Sequence, residues 1–176
     1  VKLGAVDKNI FAILGYLFFE KEQYIAAETS YRSALIYEVE NEDWEYGLAR
    51  SILHQRKFQD AVGLFDRLIE GALEQPEYWR LQADAYMGLG DNLAAASNYE
   101  VLRRLGHISA ENLVNLGDIY VENNFIEAAL GAYKDAIAMK GRLNVEKPLD
   151  AAATLIEAGF ADAAKEVLFE IQKTYG

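Results

Sequence analysis

A 34-residue period runs through the chain and constrains its fold more than any other feature. Ala27, Ala61, Ala95 and Ala129 recur at that interval, and each is followed four positions later by an aromatic residue: Tyr31, Phe65, Tyr99 and Tyr133. Three residues further on come Ala34, Leu68, Leu102 and Ala136. Upstream, the same register gives Gly15, Ala49, Ala83 and Gly117, followed by Phe18, Ile52, Tyr86 and Tyr120. Four rows in one register make this a repeat protein, and a period of this length belongs to arrays of small supersecondary units.

The spacing within a unit defines the unit. Leu14, Gly15 and Phe18 lie at helical offsets, and so do Ala27, Tyr31 and Ala34, with a polar turn from Lys21 to Gln23 between them. Each unit therefore reads as two antiparallel amphipathic helices, with small residues where the backbones approach and an aromatic side chain filling the space beside them. Gly88-Leu-Gly90-Asp91 and Glu122-Asn-Asn124 supply turn chemistry between paired helices. Pro76 and Pro148 fall where first helices should begin, the position that tolerates proline best. No segment alternates like a strand.

These residues resemble the tetratricopeptide repeat (TPR) family over roughly residues 8–174. The third unit carries the likeness most plainly, through Trp79, Ala83, Tyr86, Gly90, Ala95 and Tyr99. The fourth matches at Leu116-Gly117, Tyr120, Ala129, Tyr133 and Ala136, whereas the second has Glu45 where the family often has tryptophan. A degenerate fifth unit follows, in which Gly159-Phe160, Ala164, Leu168 and Ile171 shadow the fourth at a shift of 35. The resemblance implies an all-α, right-handed superhelical solenoid of helix pairs. Its units would span about 8–41, 42–75, 76–109, 110–144 and 145–176, after a short N-terminal remnant at 1–7. Each unit is too small to bury its own apolar face, so stability should be shared between neighbours. Lys165 and Gln172 stand in the last helix where earlier units have Val62 and Ile69, or Leu130 and Ile137, which suits a terminal cap.

Charge and composition exclude several functions. The 28 acidic residues outnumber the 17 basic ones, giving a net charge of -11 that repels phosphate backbones and anionic lipid. Nucleic acid is therefore not an expected partner. The 0 cysteines exclude disulfides, thiolate zinc sites and a cysteine nucleophile, but suit cytosol and periplasm alike. The start at Val1 points to an upstream segment that was removed. The longest apolar run, Ile10 to Phe19, is half of the roughly 20 residues that a spanning helix needs, so direct membrane insertion is not expected.

Chemistry-bearing clusters are scarce. His54 and His107 belong to different units, and neither has a second histidine at metal-site spacing. Gly88-x-Gly90 follows a helix and lacks a P-loop lysine, so it reads as a turn. Glu38, Glu40, Glu42, Asp43 and Glu45 could dock a basic partner, but acids in the first turn of a helix also favour its positive dipole end. No constellation calls for an enzyme or a cofactor.

Under the resemblance, first helices line the inner face of the array. Its expected groove residues are Tyr16, Phe19, Tyr46, Arg50, Leu53, His54, Arg80, Asp84, Met87, Asn115, Asp118 and Glu122. Tyr16, Phe19, Tyr46, Leu53 and Met87 have no role in the repeat core and should offer apolar contact. Arg50 and Arg80 should pair with neighbouring acids or provide one anionic foothold. The clamp that some family members use for acidic chaperone tails is missing in every register. Three units starting at the first carry Ala12, Tyr16, Gly47, Glu77 and Leu81 instead. The expected partner is an apolar, neutral-to-basic peptide or helix, with homo-oligomerisation as the alternative. The family resemblance suggests a scaffold of a bacterial pilus, secretion or envelope assembly.

Overall fold

A computed structural model describes residues 8–139 and 146–176. The expected remnant at 1–7 and the junction between the fourth and fifth units lie outside those residues. Ten helices follow in order among the described residues: α1 Lys8–Glu20, α2 Tyr24–Leu35, α3 Glu42–His54, α4 Phe58–Gly71, α5 Pro76–Leu89, α6 Asn92–Arg104, α7 Ala110–Glu122, α8 Ile126–Ala138, α9 Glu146–Glu157 and α10 Ala161–Tyr175. The described residues contain no strand. The fold is all-α and built from helix pairs, as the period predicts.

The turn inside each pair has one geometry. Glu22, Arg56, Gly90, Asn124 and Gly159 all adopt positive φ, between 58° and 89°. The next residue's N–H then reaches back to the first helix: Gln23 to Phe18 O (2.9 Å), Lys57 to Ile52 O (3.2 Å), Asp91 to Tyr86 O (3.0 Å), Phe125 to Tyr120 O (2.8 Å) and Phe160 to Leu155 O (2.8 Å). This is the left-handed helix stop that satisfies the last carbonyls and reverses the chain. Glycine and asparagine adopt it readily. Glu22 and Arg56 are held in it by the packing on either side, at the steric cost of a Cβ.

Helix starts are equally local. The Asn41 side chain accepts the Trp44 N–H at 3.1 Å, and the Ser109 hydroxyl accepts the Asn112 N–H at 3.1 Å. Pro76 is the first residue of α5. Pro148 sits two residues inside α9 rather than at its start, still in the turn whose N–H groups lack helical partners. The acidic stretch before α3 splits between structural tasks: Glu42 accepts the Tyr78 hydroxyl at 2.6 Å, and Glu45 faces Arg67 at 3.9 Å.

The chain forms two compact bodies, Val1–Asn98 and Tyr99–Gly176, with the division inside α6. In the first body, α1 packs on α2, α2 on α3, α3 on α4 and α4 on α5, while the first helices α1, α3 and α5 lie side by side. Tyr31 explains the small residues of the register. Its ring lies against both Gly15 and Gly47, and a methyl on Gly47 would overlap it. Ala27, Phe65, Leu68, Ile52 and Ala85 complete a continuous core. Gln82, Asp66 and Asn98 add a short polar chain, with Gln82 donating to Asp66 at 2.7 Å and Asn98 donating to Gln82 at 2.9 Å.

In the second body, α7 packs on α8 and α9, and α10 packs on both α8 and α9. Tyr133 fills the place beside Gly117, Leu130 and Ile137 are buried, and Leu155 and Val167 anchor the last pair. Lys165 and Gln172, the expected cap residues, are exposed on α10. No helix among the described residues is long and apolar enough to cross a membrane.

Candidate functional site

The first body gathers five of the expected groove residues, Tyr16, Phe19, Tyr46, Arg50 and His54, into one aromatic and cationic surface. A pocket of about 440 Å³ opens between α1, α2 and α3, lined by Asn9, Ala12, Ile13, Tyr16, Tyr31, Asp43, Trp44, Tyr46, Gly47 and Arg50. Gly47 lets the Tyr31 ring lie directly against α3, where the ring is part of the pocket lining. Tyr16 is 56% exposed and Tyr46 half-buried, so the pocket offers two phenol rings at different depths.

Among the described residues no acid forms an ion pair with Arg50, the first of the two roles expected of it. Its guanidinium carbon lies 4.2 Å from the centroid of Phe19 and 5.4 Å from that of Tyr46. Phe19 is half-buried and packs on the core. It also meets His54 edge-on at 5.3 Å, and His54 stacks on Tyr24 at 4.6 Å with an interplanar angle of 14°. Burial and the nearby Arg50 charge hold the His54 imidazole below its ordinary value. Leu53 is a correction: it is buried in the hydrophobic core, because its position on α3 faces the body rather than solvent.

Arg80 behaves as expected of a paired cation. It donates to Glu77 at 2.6 Å and to Asp84 at 3.0 Å, and Glu77 also accepts the Tyr46 hydroxyl at 3.4 Å. Hydrogen bonding from Arg80 outweighs burial and lowers the Glu77 carboxyl, whereas burial raises Asp84 despite the same guanidinium. Met87 is exposed near the end of α5.

The second body carries Asn115, Asp118 and Glu122 on α7. Asp118 accepts the buried Tyr133 hydroxyl at 2.7 Å. Burial raises its carboxyl, the Tyr133 bond opposes that, and repulsion from Glu122 adds to it. Asn115 is half-buried and Glu122 exposed. Among the described residues no group of three or more histidines and carboxylates could hold a metal ion.

Sequence reasoning missed Trp44, Tyr24 and Tyr31 as parts of this surface. Tyr31 was assigned wholly to the core, yet its ring also floors the pocket. The available signal was Gly47, whose unit-to-unit equivalents Ile13, Leu81 and Asn115 all carry side chains where the glycine admits the ring.

Comparison with known proteins gives a consistent picture. Family models described as tetratricopeptide repeat match residues 18–85 and 114–168, together more than half of the chain. No curated protein matches it in sequence. Among solved structures it is similar to the MamA protein, with a TM-score of 0.80, 16% identity, and coverage of 95% of this chain and 91% of that one. MamA from Desulfovibrio magneticus RS-1 gives a TM-score of 0.79 at 12% identity, covering 97% of both chains. YrrB, described as a TPR protein with an unusual peptide-binding site, gives 0.74 at 14% identity, covering 94% of this chain and 84% of that one. At these identities the likeness is one of fold.

Proposed function

The chain belongs to the tetratricopeptide repeat family, as a non-catalytic protein–protein interaction scaffold, and from that premise we propose that its first helices bind a peptide or helix of a partner protein. The observation that carries this reading is the pocket above Tyr31, where exposed Tyr16 and Ile13 offer apolar contact beside Tyr46, which is half-buried and packs on the core. Burying such side chains contributes about 1.5–3 kcal/mol each before the ordering costs of association. Asp43, Glu77 and Asp84 disfavour a carboxylate-rich segment. The partner segment is therefore apolar and neutral to basic overall, with micromolar-class affinity that falls as salt is added. The description of YrrB as a peptide-binding TPR protein is in keeping with this use of the fold. A pilus, secretion or envelope assembly is the setting we propose.

A peptide array repeated with Tyr46→Ala and Asp84→Lys tests the site. Both changes should alter binding, the second toward acidic sequences. Binding indifferent to both, or an initial preference for carboxylate-rich peptides, would move the site elsewhere.

A second reading rests on α1. Ile10, Leu14 and Leu17 are 38–49% exposed, whereas their equivalents one unit on, Trp44, Leu48 and Ser51, are buried. That stripe could take a second copy. Size exclusion with light scattering separates the two readings, since a monomer over a wide concentration range dismisses self-association.

A further inference from the structure

Arg50 is a half-buried cation without an acidic partner in a chain where acids outnumber bases by 28 to 17. Phe19 and Tyr46 stack on it, but stacking engages the face of a guanidinium and leaves its in-plane N–H donors. Among the described residues no carboxylate forms an ion pair or hydrogen bond with it, and it lines the pocket above Tyr31. Several acids lie in its neighbourhood. Glu77 senses the Arg50 charge but is engaged by Arg80 and Tyr46. Asp43 lines the same pocket seven residues earlier on α3, about 10 Å along the helix axis. Glu20 acts together with Arg50 on the Tyr31 hydroxyl, and Asp84, which accepts from Arg80, acts with it on His54. Among the described residues none of them forms an ion pair with the Arg50 guanidinium.

Building on the groove reading above, we infer that this pocket is a subsite for one acidic side chain of the partner, presented directly beside an apolar residue. The apolar residue lies against Tyr16, Ile13 and Tyr46, and the carboxylate takes the free donors of Arg50. A planar fork held against two rings is pre-oriented for a carboxylate, so little side-chain freedom is lost on binding. α3 has α1 on one side and α5 on the other, so a segment crossing Arg50 continues past it in both directions. An internal Asp or Glu, rather than a chain terminus, therefore meets the cation. A neutral-to-basic partner with one such acid satisfies Arg50 and the surrounding carboxylates together.

The test is an NMR titration that follows the Arg50 Nε–Hε and the Tyr16 and Tyr46 amide signals. The probes are N-acetyl-Phe-Glu-amide, N-acetyl-Phe-Gln-amide and N-acetyl-Phe-Gln with a free C-terminus. The Glu amide should bind about tenfold more tightly than the Gln amide, a charge-assisted hydrogen bond's worth of preference. Arg50→Gln, checked for folding by circular dichroism, should erase that difference, and Arg50→Lys should retain part of it. Equal binding of the Glu and Gln amides at Tyr16 and Tyr46 would overturn the carboxylate subsite and leave the apolar groove standing. Preference for the free terminus would overturn the side-chain assignment. No shift at these residues with any probe would overturn both the subsite and the groove. Diffusion that slows with protein concentration, and recovers in Arg50→Gln, would hand the cation to a second copy and overturn the inference.

Discussion

The helix pair α3–α4 in the first body and the pair α7–α8 in the second use the same register for different ends. At one position, a turn before each first helix finishes, stand Arg50 and Asp118; at another, in the second helices, stand Phe65 and Tyr133. In α7–α8 the Tyr133 hydroxyl donates to Asp118, so the polar group of the first helix is tied to its own core. In α3–α4 the corresponding ring is Phe65, which has no hydroxyl, and Arg50 turns instead to Phe19 and Tyr46. The small residue follows suit, Gly117 making room for Tyr133 where Ala49 suffices beside Phe65. One repeat pattern thus sets the backbone, and a single hydroxyl decides whether a groove-side polar group is internal or available.

The largest test of that contrast removes the ring. Tyr133→Ala empties a fully buried site and should destabilise the protein by roughly 3–5 kcal/mol in denaturant titration. Hydrogen exchange should lose protection first in α7 and α8. Uniform loss over the whole chain would contradict the nearest-neighbour account of repeat stability.

A glycine pair comes next. Gly117→Ala drives a methyl into the Tyr133 ring and should cost about 1–3 kcal/mol, since the ring is pinned by Asp118. Gly63→Ala, in the middle of α4 with open space around it, should instead raise stability by up to about 1 kcal/mol. Equal effects at the two sites would show that helix propensity, not close approach, sets the register's small residues.

Arg56→Gly should stabilise the protein by a few tenths to about 1 kcal/mol, because residue 56 is left-handed at φ 61° and glycine removes the Cβ clash. The same change at Asn124, the equivalent position in α7–α8, should do less. Asparagine already tolerates that conformation.

An effect of similar size is on acid stability. Burial raises the Glu28 carboxyl, but hydrogen bonds from Lys57, Gln55 and Arg32 outweigh it and hold the group at about 2. A lowered folded-state value means stability present above the unfolded carboxyl's range, near pH 4.5, and lost as pH falls toward 2. Glu28→Gln should therefore cost about 1 kcal/mol at neutral pH, because its partners Arg32 and Lys57 are solvent-exposed, and flatten the acid limb of the stability curve. His54 acts in the same sense at higher pH. Its value is depressed, so its contribution is lost as pH falls below about 6.5, the free imidazole's value.

Much of this architecture is legible in the sequence, because the period fixes where small and aromatic residues meet. Gly15, Tyr31, Gly117 and Tyr133 occupy the roles their spacing assigns. The turns themselves are legible, Lys21 to Gln23 included, but their left-handed stop is legible only where the residue chemistry is distinctive. Gly90 and Asn124 announce a left-handed stop, but Glu22 and Arg56 do not, because tertiary packing there overrides residue preference. The site was harder to read for a related reason. Register places Leu53 and Arg50 on one helix but cannot tell that the first faces the core and the second meets two rings. Those outcomes depend on the neighbouring helices and on Gly47, a gap in the pattern rather than a feature of it.

The central claim is that first helices of the array, not second helices, hold the partner. Site-specific photo-crosslinking to an array-selected peptide tests it most directly, with the crosslinking residue placed at Tyr16 on α1 or at Ile25 on α2, both exposed. The account predicts an adduct from Tyr16 and none from Ile25. An adduct formed from Ile25 alone would contradict it.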